Sequence, residues 1–549
     1  MLIPTDPVKK EKFLDDVIHS CEVSQVERLN VNTALRNYTL FGSDYATQQV
    51  ASYNKIWPTL QLLSSFLYAQ ETVNFSVKWG TGVPKEQAVY GETVRKKSHE
   101  LWEDTNADQL FGEAVFWALT HNSTFIKTIW NGGLRVYYVQ PAMIGVYRED
   151  IPSMDNQEAI THLYYSTTSG LRTMTKILGK SRQEEIMAKV STVGPIDDSV
   201  APESVTQMIL NSQIPQVRGA VNPVWESRYQ YRPQTSPDLV EMREVWVYDD
   251  ELEDYRCFTV ASSNVVIFDR KGKELCTEGE HPFTKVTPFS LPDYFWGQSL
   301  CQSLLGLQDW HDGHLKRVDV VFRRKLRPSR AITGPGWGQL TEEKLLALDR
   351  EGGSIASQVP GAKVDTYTPE MTMQESKLWL DYISEMLNET AGLGANVLRA
   401  QGDEGVRSMQ HAQVLQRMGS SRIKKTALAV EDAAERLATL MMKMQREHDK
   451  HKYLDDTGKE FLLSQVDKNF SIKVSGHSLS PVFVEDTKTE AKALVGMKAM
   501  TRERYIDETK PPMSEELKHD LETKIEPSEA KNAQVQQGLA MLKLAKNLK

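Results

Sequence analysis

Apolar and polar positions alternate with a helical step from about residue 297, break over a Pro/Gly-rich stretch, and resume. Leu300, Leu304, Leu307, His311, Leu315, Val318 and Phe322 recur every three or four residues. This predicts one apolar stripe on a helix over Gly297–Arg327, roughly 45 Å long. Asp309, Asp312, Lys316, Asp319 and Arg323 keep the same step and predict a charged, solvated flank. In Asp312/Lys316 and Asp319/Arg323 the acid precedes the base by one turn, the favourable order for pairing. Gly306 and Gly313 are seven apart on one side: a neighbouring helix approaches there, the helix bends, or the two glycines are merely tolerated. Pro328 stops the helix.

After the excursion over 328–369, Gln374–Ala391 repeats the design. Trp379, Ile383, Met386 and Leu387 form its apolar stripe, and Asp381, Glu385, Asn388 and Glu389 its acidic flank. A glycine-rich loop over Gly392–Gly405 follows, then a long helix to Lys450. Its seam, Val430, Ala434, Leu437, Met441 and Met444, steps by four and three like a coiled coil. Such a helix needs neighbours, from the same chain or from copies of it.

The flanks read differently. Residues 1–130 have mainly helical spacing, over Lys10–Val26, Pro58–Gln70, Gly91–Asn106 and Asp108–Thr120. Asn131-Gly132-Gly133 signals a turn, and Leu134–Val139 begins a β-region that runs to about 290. Helical spacing interrupts it over about 170–212, at Thr173–Val190 and Glu203–Ser212. Further strands are expected at Trp225–Tyr231, Val240–Tyr248, Tyr255–Ala261 and Val265–Asp269. Together these predict an α+β fold with an antiparallel meander, or two domains split near Gly132. Residues 451–484 turn strand-like again, with Phe470-Ser-Ile-Lys-Val alternating. From 485 to 549 the pattern is helical, with Ser514 as an expected N-cap.

Composition removes several function classes. With 549 residues, 40 % hydrophobic and 25 % charged, the chain has material for several cores and is neither disordered nor fibrous. Cys21, Cys257, Cys276 and Cys301 lack CxxC spacing, against a zinc knuckle or a disulfide framework, and suit a reducing compartment. The most apolar run, Leu60–Ala69, is too short to cross a bilayer, and Met1–Lys12 has no signal-peptide core. The net charge of −9 and pI of about 5.8 have the wrong sign for gripping nucleic acid through phosphate neutralisation.

Candidate chemistry is sparse. The loop Gly392–Gly405 has the glycines of a phosphate cradle but no following Gly-Lys-Ser/Thr. His311/His314 and His448/His451 have i,i+3 spacing but no HExxH pattern and no third ligand, and His311, on the packed stripe, is expected to be a satisfied core or intersubunit histidine. Arg323, Arg324, Lys325, Arg327 and Arg330 crowd one helix end, as a solvated cluster or a contact surface. Trp337, between glycines, is tucked against its own turn or presented to a partner. No catalytic constellation, cofactor or metal site is expected.

Three segments then carry a resemblance. Tyr294-Phe-Trp-Gly-Gln-Ser-Leu runs into Leu307-Gln-Asp-Trp. Leu387-Asn-Glu-Thr-Ala-Gly-Leu-Gly follows, and then Arg407-Ser-Met-Gln-His-Ala-Gln-Val-Leu-Gln-Arg after the glycine-rich loop. In their order this resembles the bacteriophage portal (head–tail connector) family, over about the central third of the chain. The resemblance implies a portal-like architecture: a wing over 1–296, stem helices at 297–327 and 374–391, a clip at 328–373, and a tunnel loop at 392–406. A kinked helix would cover 407–450, a β segment rejoining the wing 451–484, and a helical crown 485–549. It implies a non-enzymatic ring, usually of twelve copies, at the unique portal vertex of a virion, assembled in host cytoplasm, with no membrane.

Its implied partners are further copies of the chain, double-stranded DNA, the terminase large subunit, tail adaptor proteins, and major capsid and scaffold proteins. Asp381, Glu385 and Glu389 would form an acidic channel wall that repels phosphates. Lys316 and the loop residues Asn396 and Arg399 would be further channel contacts. Arg323, Arg324, Lys325, Arg327, Arg330 and Trp337 would meet clip partners. Another oligomeric adaptor or scaffold protein, or a metal-dependent nucleic-acid enzyme with a coiled-coil segment, are the competing readings.

Overall fold

The computed structural model describes residues 1–23, 25–42, 53–69, 73–192, 239–262, 265–326, 329–333, 363–367, 373–393, 421–454 and 458–474. Within these the chain is a mixture of helices and antiparallel sheets, an α+β fold. Helix α1 (Pro7–Glu22) starts where Asp6 Oδ1 accepts from the N–H groups of Val8 and Lys9, with proline at the first helical position. It is followed by α2 (Gln25–Phe41), α3 (Ile56–Leu67), α4 (Gly91–Asp104) and α5 (Ala107–His121).

The helical reading of 1–130 needs correction at three places. Residues 25–41 are a separate helix, and β1 (Phe75–Trp79) and β2 (Thr124–Trp130) are strands. β1 offers only five residues of pattern, and its partner is β14 (Phe470–Val474), which follows the short ribbon of β12 (Lys452–Leu454) and β13 (Glu460–Leu462) and lies 397 residues away at the Ser76–Lys473 contact. The C-terminal β segment thus joins this small two-stranded sheet and not the meander. β2 begins just after Asn122, whose φ of +79° ends α5 abruptly.

Two larger sheets follow. β3 (Leu134–Val139), β2 and β9 (Phe283–Val286) form an antiparallel three-stranded sheet. β4 (Ile144–Val146), β5 (Ala159–Thr167), β6 (Leu239–Asp249), β7 (Asp254–Ala261) and β8 (Val265–Lys271) form a five-stranded meander in chain order. Between β5 and β6 the expected helix at Thr173–Val190 is two: α6 (Thr168–Thr175), capped by Thr167, and α7 (Lys180–Lys189), broken apart at Gly179 with φ +86°. The expected elements at Glu203–Ser212 and Trp225–Tyr231 lie outside the described residues.

Three long helices organise the core: α8 (Leu300–Leu326), α9 (Met373–Thr390) and α10 (Ser421–His448). The expected seam of α10, Val430, Ala434, Leu437, Met441 and Met444, is buried throughout. So are Ile423, Ala427, Ala433, Ala438, Leu440 and Met442 on its other sides. Its neighbours are α3, α4, β2, β9 and β14, so over these residues the same chain supplies the packing that the pattern demanded. Residues 407–420 of the expected helix, and the expected crown, lie outside the described residues.

Candidate functional site

The hairpin of α8 and α9 is rooted in the core by the motif around Trp296. Phe295 is buried and stacks on Phe125 with ring centroids 6.0 Å apart; its N–H donates to Glu149 O at 2.8 Å. Trp296 Nε1 donates to Glu149 Oε1 at 2.8 Å, and the Arg28 guanidinium lies 3.7 Å over its ring. Gly297 then turns the chain with φ +73°, so the expected helix start at 297 moves to 300. Ser299 caps it: its Oγ accepts from Gln302 N at 3.0 Å and donates to Thr120 O at 2.7 Å. A Cβ on Gly297 would stand 2.6 Å from Phe289 O and from Thr287 Cγ2. Gly297→Ala is therefore expected to lower stability by about 2 kcal/mol through left-handed backbone strain and overpacking. Urea denaturation checks this, and an unchanged midpoint would refute it.

The first half of α8 is locked into the body. Gln308, fully buried, accepts from Lys55 N at 3.0 Å and donates to Tyr53 O and to Asp312 Oδ1, each at 3.1 Å. Tyr38 donates its hydroxyl to Asp309 at 3.1 Å. This corrects the charged flank: Asp312 is 5 % exposed and belongs to the clamp rather than to a solvated face. Beyond Leu315 no described residue of α8 is buried, and Phe322, expected on the packed stripe, is 43 % exposed. The helix has left the body, and on the stripe Val318 is only partly buried.

Past α8 the expected clip opens as an antiparallel ribbon, β10 (Ser329–Thr333) with β11 (Lys363–Tyr367), which returns the chain to α9. The two helices meet through Trp379, whose ring lies 6.2 Å from Trp310 and 6.5 Å from His314. Ile383 and Leu387 are buried as expected, but Trp379 is half-exposed, and Leu378 and Tyr382, which the apolar-stripe reading passed over, are exposed. Both are legible in hindsight as an i,i+4 apolar pair set apart from Ile383 and Leu387.

Asp381, Glu385 and Glu389 are exposed along α9 at i,i+4 spacing, with no ion-pair partner among the described residues. Each adjacent like-charge pair disfavours the helix by about 0.2–0.5 kcal/mol. Glu389 also sits in the last turn, where the macrodipole disfavours an acid. The row thus works against its own helix. Lys316 is exposed on α8. Arg323 is exposed and pairs with Asp319 at 3.0 Å, as its spacing predicts, and Lys325 is exposed. Arg324 lies on α8, and Arg330 lies on β10 opposite Thr366. Arg327, Trp337, Asn396 and Arg399 lie outside the described residues, as does the glycine-rich loop beyond Leu393.

Among the described residues, no group of three or more His, Cys, Asp or Glu side chains is placed to hold a metal. His311 Nδ1 lies 3.4 Å from Asp312, and His448 stacks on Trp130 with its Nε2 3.0 Å from Cys276 O. All four cysteines are buried, and burial pushes their thiols up, that of Cys301 to about 12. A cleft of about 370 Å³ beside α10 is lined by Arg436, Lys443 and Lys473, which pair with Asp155, Glu280 and Glu435. Among the described residues no helix is long and apolar enough to cross a membrane.

Comparison with known proteins finds no matching family model and no matching curated protein. Among solved structures, a chain of the virion of a native gene transfer agent (GTA) particle aligns with a TM-score of 0.41 at 10 % identity, covering 88 % of this chain and 94 % of that one. A TM-score of that size is too low to assign a fold or a role.

Proposed function

We propose that the chain is the subunit of a portal-type ring, a virion component through which double-stranded DNA is packaged and later released. The observation that carries this reading is the hairpin: two helices rooted in an α+β body, joined through an antiparallel ribbon, and carrying an acidic row that nothing in the described chain neutralises. In a ring, Glu385 and Glu389 of each copy line the channel and repel phosphates, so that DNA slides rather than sticks. Arg323 and Lys325 near the end of α8, with Arg330 on β10, lie at the far end of the hairpin, where the packaging motor, the terminase large subunit, and then tail adaptor proteins would dock. The body would meet capsid and scaffold proteins at one vertex.

Negative-stain imaging of the purified chain tests the reading. Rings of about twelve copies with a central hole are expected, as the family resemblance implies. Monomers or open filaments would overturn it in favour of an adaptor or scaffold role, and magnesium-dependent cleavage of plasmid DNA would point to an enzyme.

A further inference from the structure

The sequence contains one Asn-Gly dipeptide, Asn131-Gly132, and one Asp-Gly dipeptide, Asp312-Gly313. A glycine in second place leaves its peptide nitrogen uncrowded and its backbone free to turn, so that the nitrogen can reach the preceding side-chain carbonyl carbon. The tertiary structure separates the two pairs. Asp312 is 5 % exposed, its Oδ1 accepts from Gln308 Nε2 at 3.1 Å, and Gly313 lies inside α8, where the helix fixes the backbone dihedrals. Asn131 and Gly132 are exposed at the tip of the β2–β3 hairpin. The Asn131 N–H closes the loop, donating to Gly133 O at 3.0 Å. The Asn131 side-chain amide and the Gly132 N–H have no hydrogen-bond partner among the described residues. Gly132 has φ +69°, and a Cβ built on it meets nothing within 4 Å, so no packed neighbour holds the tip in one conformation.

We propose that Asn131 is a site of spontaneous deamidation that needs only water. The Gly132 nitrogen gives its proton to solvent base and bonds to Asn131 Cγ; the Cγ–Nδ2 bond breaks, ammonia leaves, and a succinimide ring forms. Water then opens the ring at one of its two carbonyl carbons. Opening at Cγ gives aspartate. Opening at the main-chain carbonyl gives isoaspartate, in which the chain continues through Cγ and the main-chain carbonyl becomes the free carboxylate. One amide and one water thus become one carboxylate and one ammonium ion, with no oxidant or reductant. Both products add a negative charge to the tip, but only isoaspartate lengthens the backbone, by one carbon. That carbon enters a loop of three residues whose length sets the register from Trp130 with Leu134 to Phe125 with Val139. β2 is the central strand of its sheet, and the Trp130 ring stacks on His448 of α10 at 5.0 Å. Isoaspartate therefore loosens the hairpin at the end that touches α10.

The test is peptide mapping by mass spectrometry of the full folded chain, sampled over time at mildly alkaline pH, with isoaspartate scored by its specific methyltransferase. Asn156 is the internal reference, being exposed but followed by the bulkier Gln157. Asn131 should convert at least about tenfold faster than Asn156, equivalent to a barrier lower by about 1.4 kcal/mol, and isoaspartate should be among its products. Gly132→Ala, which crowds the attacking nitrogen, should slow conversion at Asn131 by at least about tenfold. The comparison of Asn131 with Asn156 is made within the parent, so it stands whether or not that variant folds. Asn131→Asp carries the charge without the extra carbon and should keep the parent's hydrogen-exchange protection of the β2–β3 amides, which the isoaspartate form should lose. Equal rates at Asn131 and Asn156, or conversion to aspartate alone, would overturn the proposed site. Full protection in the isoaspartate form would overturn the loosening of the hairpin.

Discussion

Lys127→Met is expected to destabilise the folded chain by about 3–5 kcal/mol, the loss that follows when one member of a buried ion pair is removed. Lys127 lies on β2 with its side chain 5 % exposed, and its Nζ donates to Glu244 Oε2 on β6 at 2.7 Å and lies 3.3 Å from His162 Nδ1. The pair is the polar link between the three-stranded sheet and the meander. Burial alone would push the Glu244 carboxyl up, but the Lys127 ammonium, with the bonds from Lys127 and Trp246, holds it below the ordinary range. A depressed folded-state pKa means that this stabilisation is present above the usual glutamate range and is lost as pH falls through it. Without Lys127 the carboxylate is buried with no cation, so the variant's deficit should shrink on acidification. Urea denaturation at neutral pH checks the magnitude, and Lys127→Met with Glu244→Leu should recover most of it. A deficit under about 1 kcal/mol would show that water already screens the pair.

Acidification of the parent chain should itself remove several kcal/mol of stability between pH 7 and pH 5, about 4 kcal/mol of it from the buried imidazoles of His281 and His121 and the rest from His162, which burial and the Lys127 charge push down to about 3. His281 is held neutral by geometry: its Nε2 lies 3.0 Å from Met154 O, and its Nδ1 accepts from Phe283 N at 3.3 Å. Protonating Nδ1 would break the second bond, and burial pushes the pKa down to about 4. His121, stacked on Trp117 at the end of α5, is pushed down to about 3 by burial and by the nearby charge of Arg36. Unfolded, both take up a proton near pH 6.5, so the unfolded chain binds more protons over the window from about 6.5 down to 4, and stability falls as pH falls. Each contributes about 2 kcal/mol at pH 5 by this linkage. Denaturant midpoints at pH 7 and 5 measure the slope. His121→Phe combined with His281→Gln should remove most of it and leave the part that His162 contributes, and a parent profile already flat would refute the account.

Much of the hairpin was legible in the chain. The stripe from Leu300 to His311, the pair Asp319/Arg323, the buried Ile383 and Leu387, and the seam of α10 follow from a period that local sterics impose on any helix. The exposed acids Asp381, Glu385 and Glu389 were legible for the same reason. Asp312 was misassigned because periodicity gives a direction around the helix but not what stands there; a clamp made by Gln308 with Tyr53 and Lys55 lies more than 250 residues away in sequence. Phe322 and Trp379 differ in the opposite sense: Phe322 is exposed where the helix has left the body, and Trp379 stays half-exposed although it meets Trp310 and His314. β1 escaped notice because a short strand has meaning only beside its partner.

By itself, then, the sequence determined the two amphipathic helices, the break between them and the acidic row, since each depends on contacts within a few residues. Only the tertiary structure decided where the hairpin leaves the body, that α10 is packed by its own chain, that Asp312 is internal, and that Leu378 and Tyr382 face outward. Burial is a property of pairs of elements, and in this chain those pairs are set by hydrogen bonds and side-chain packing between segments hundreds of residues apart.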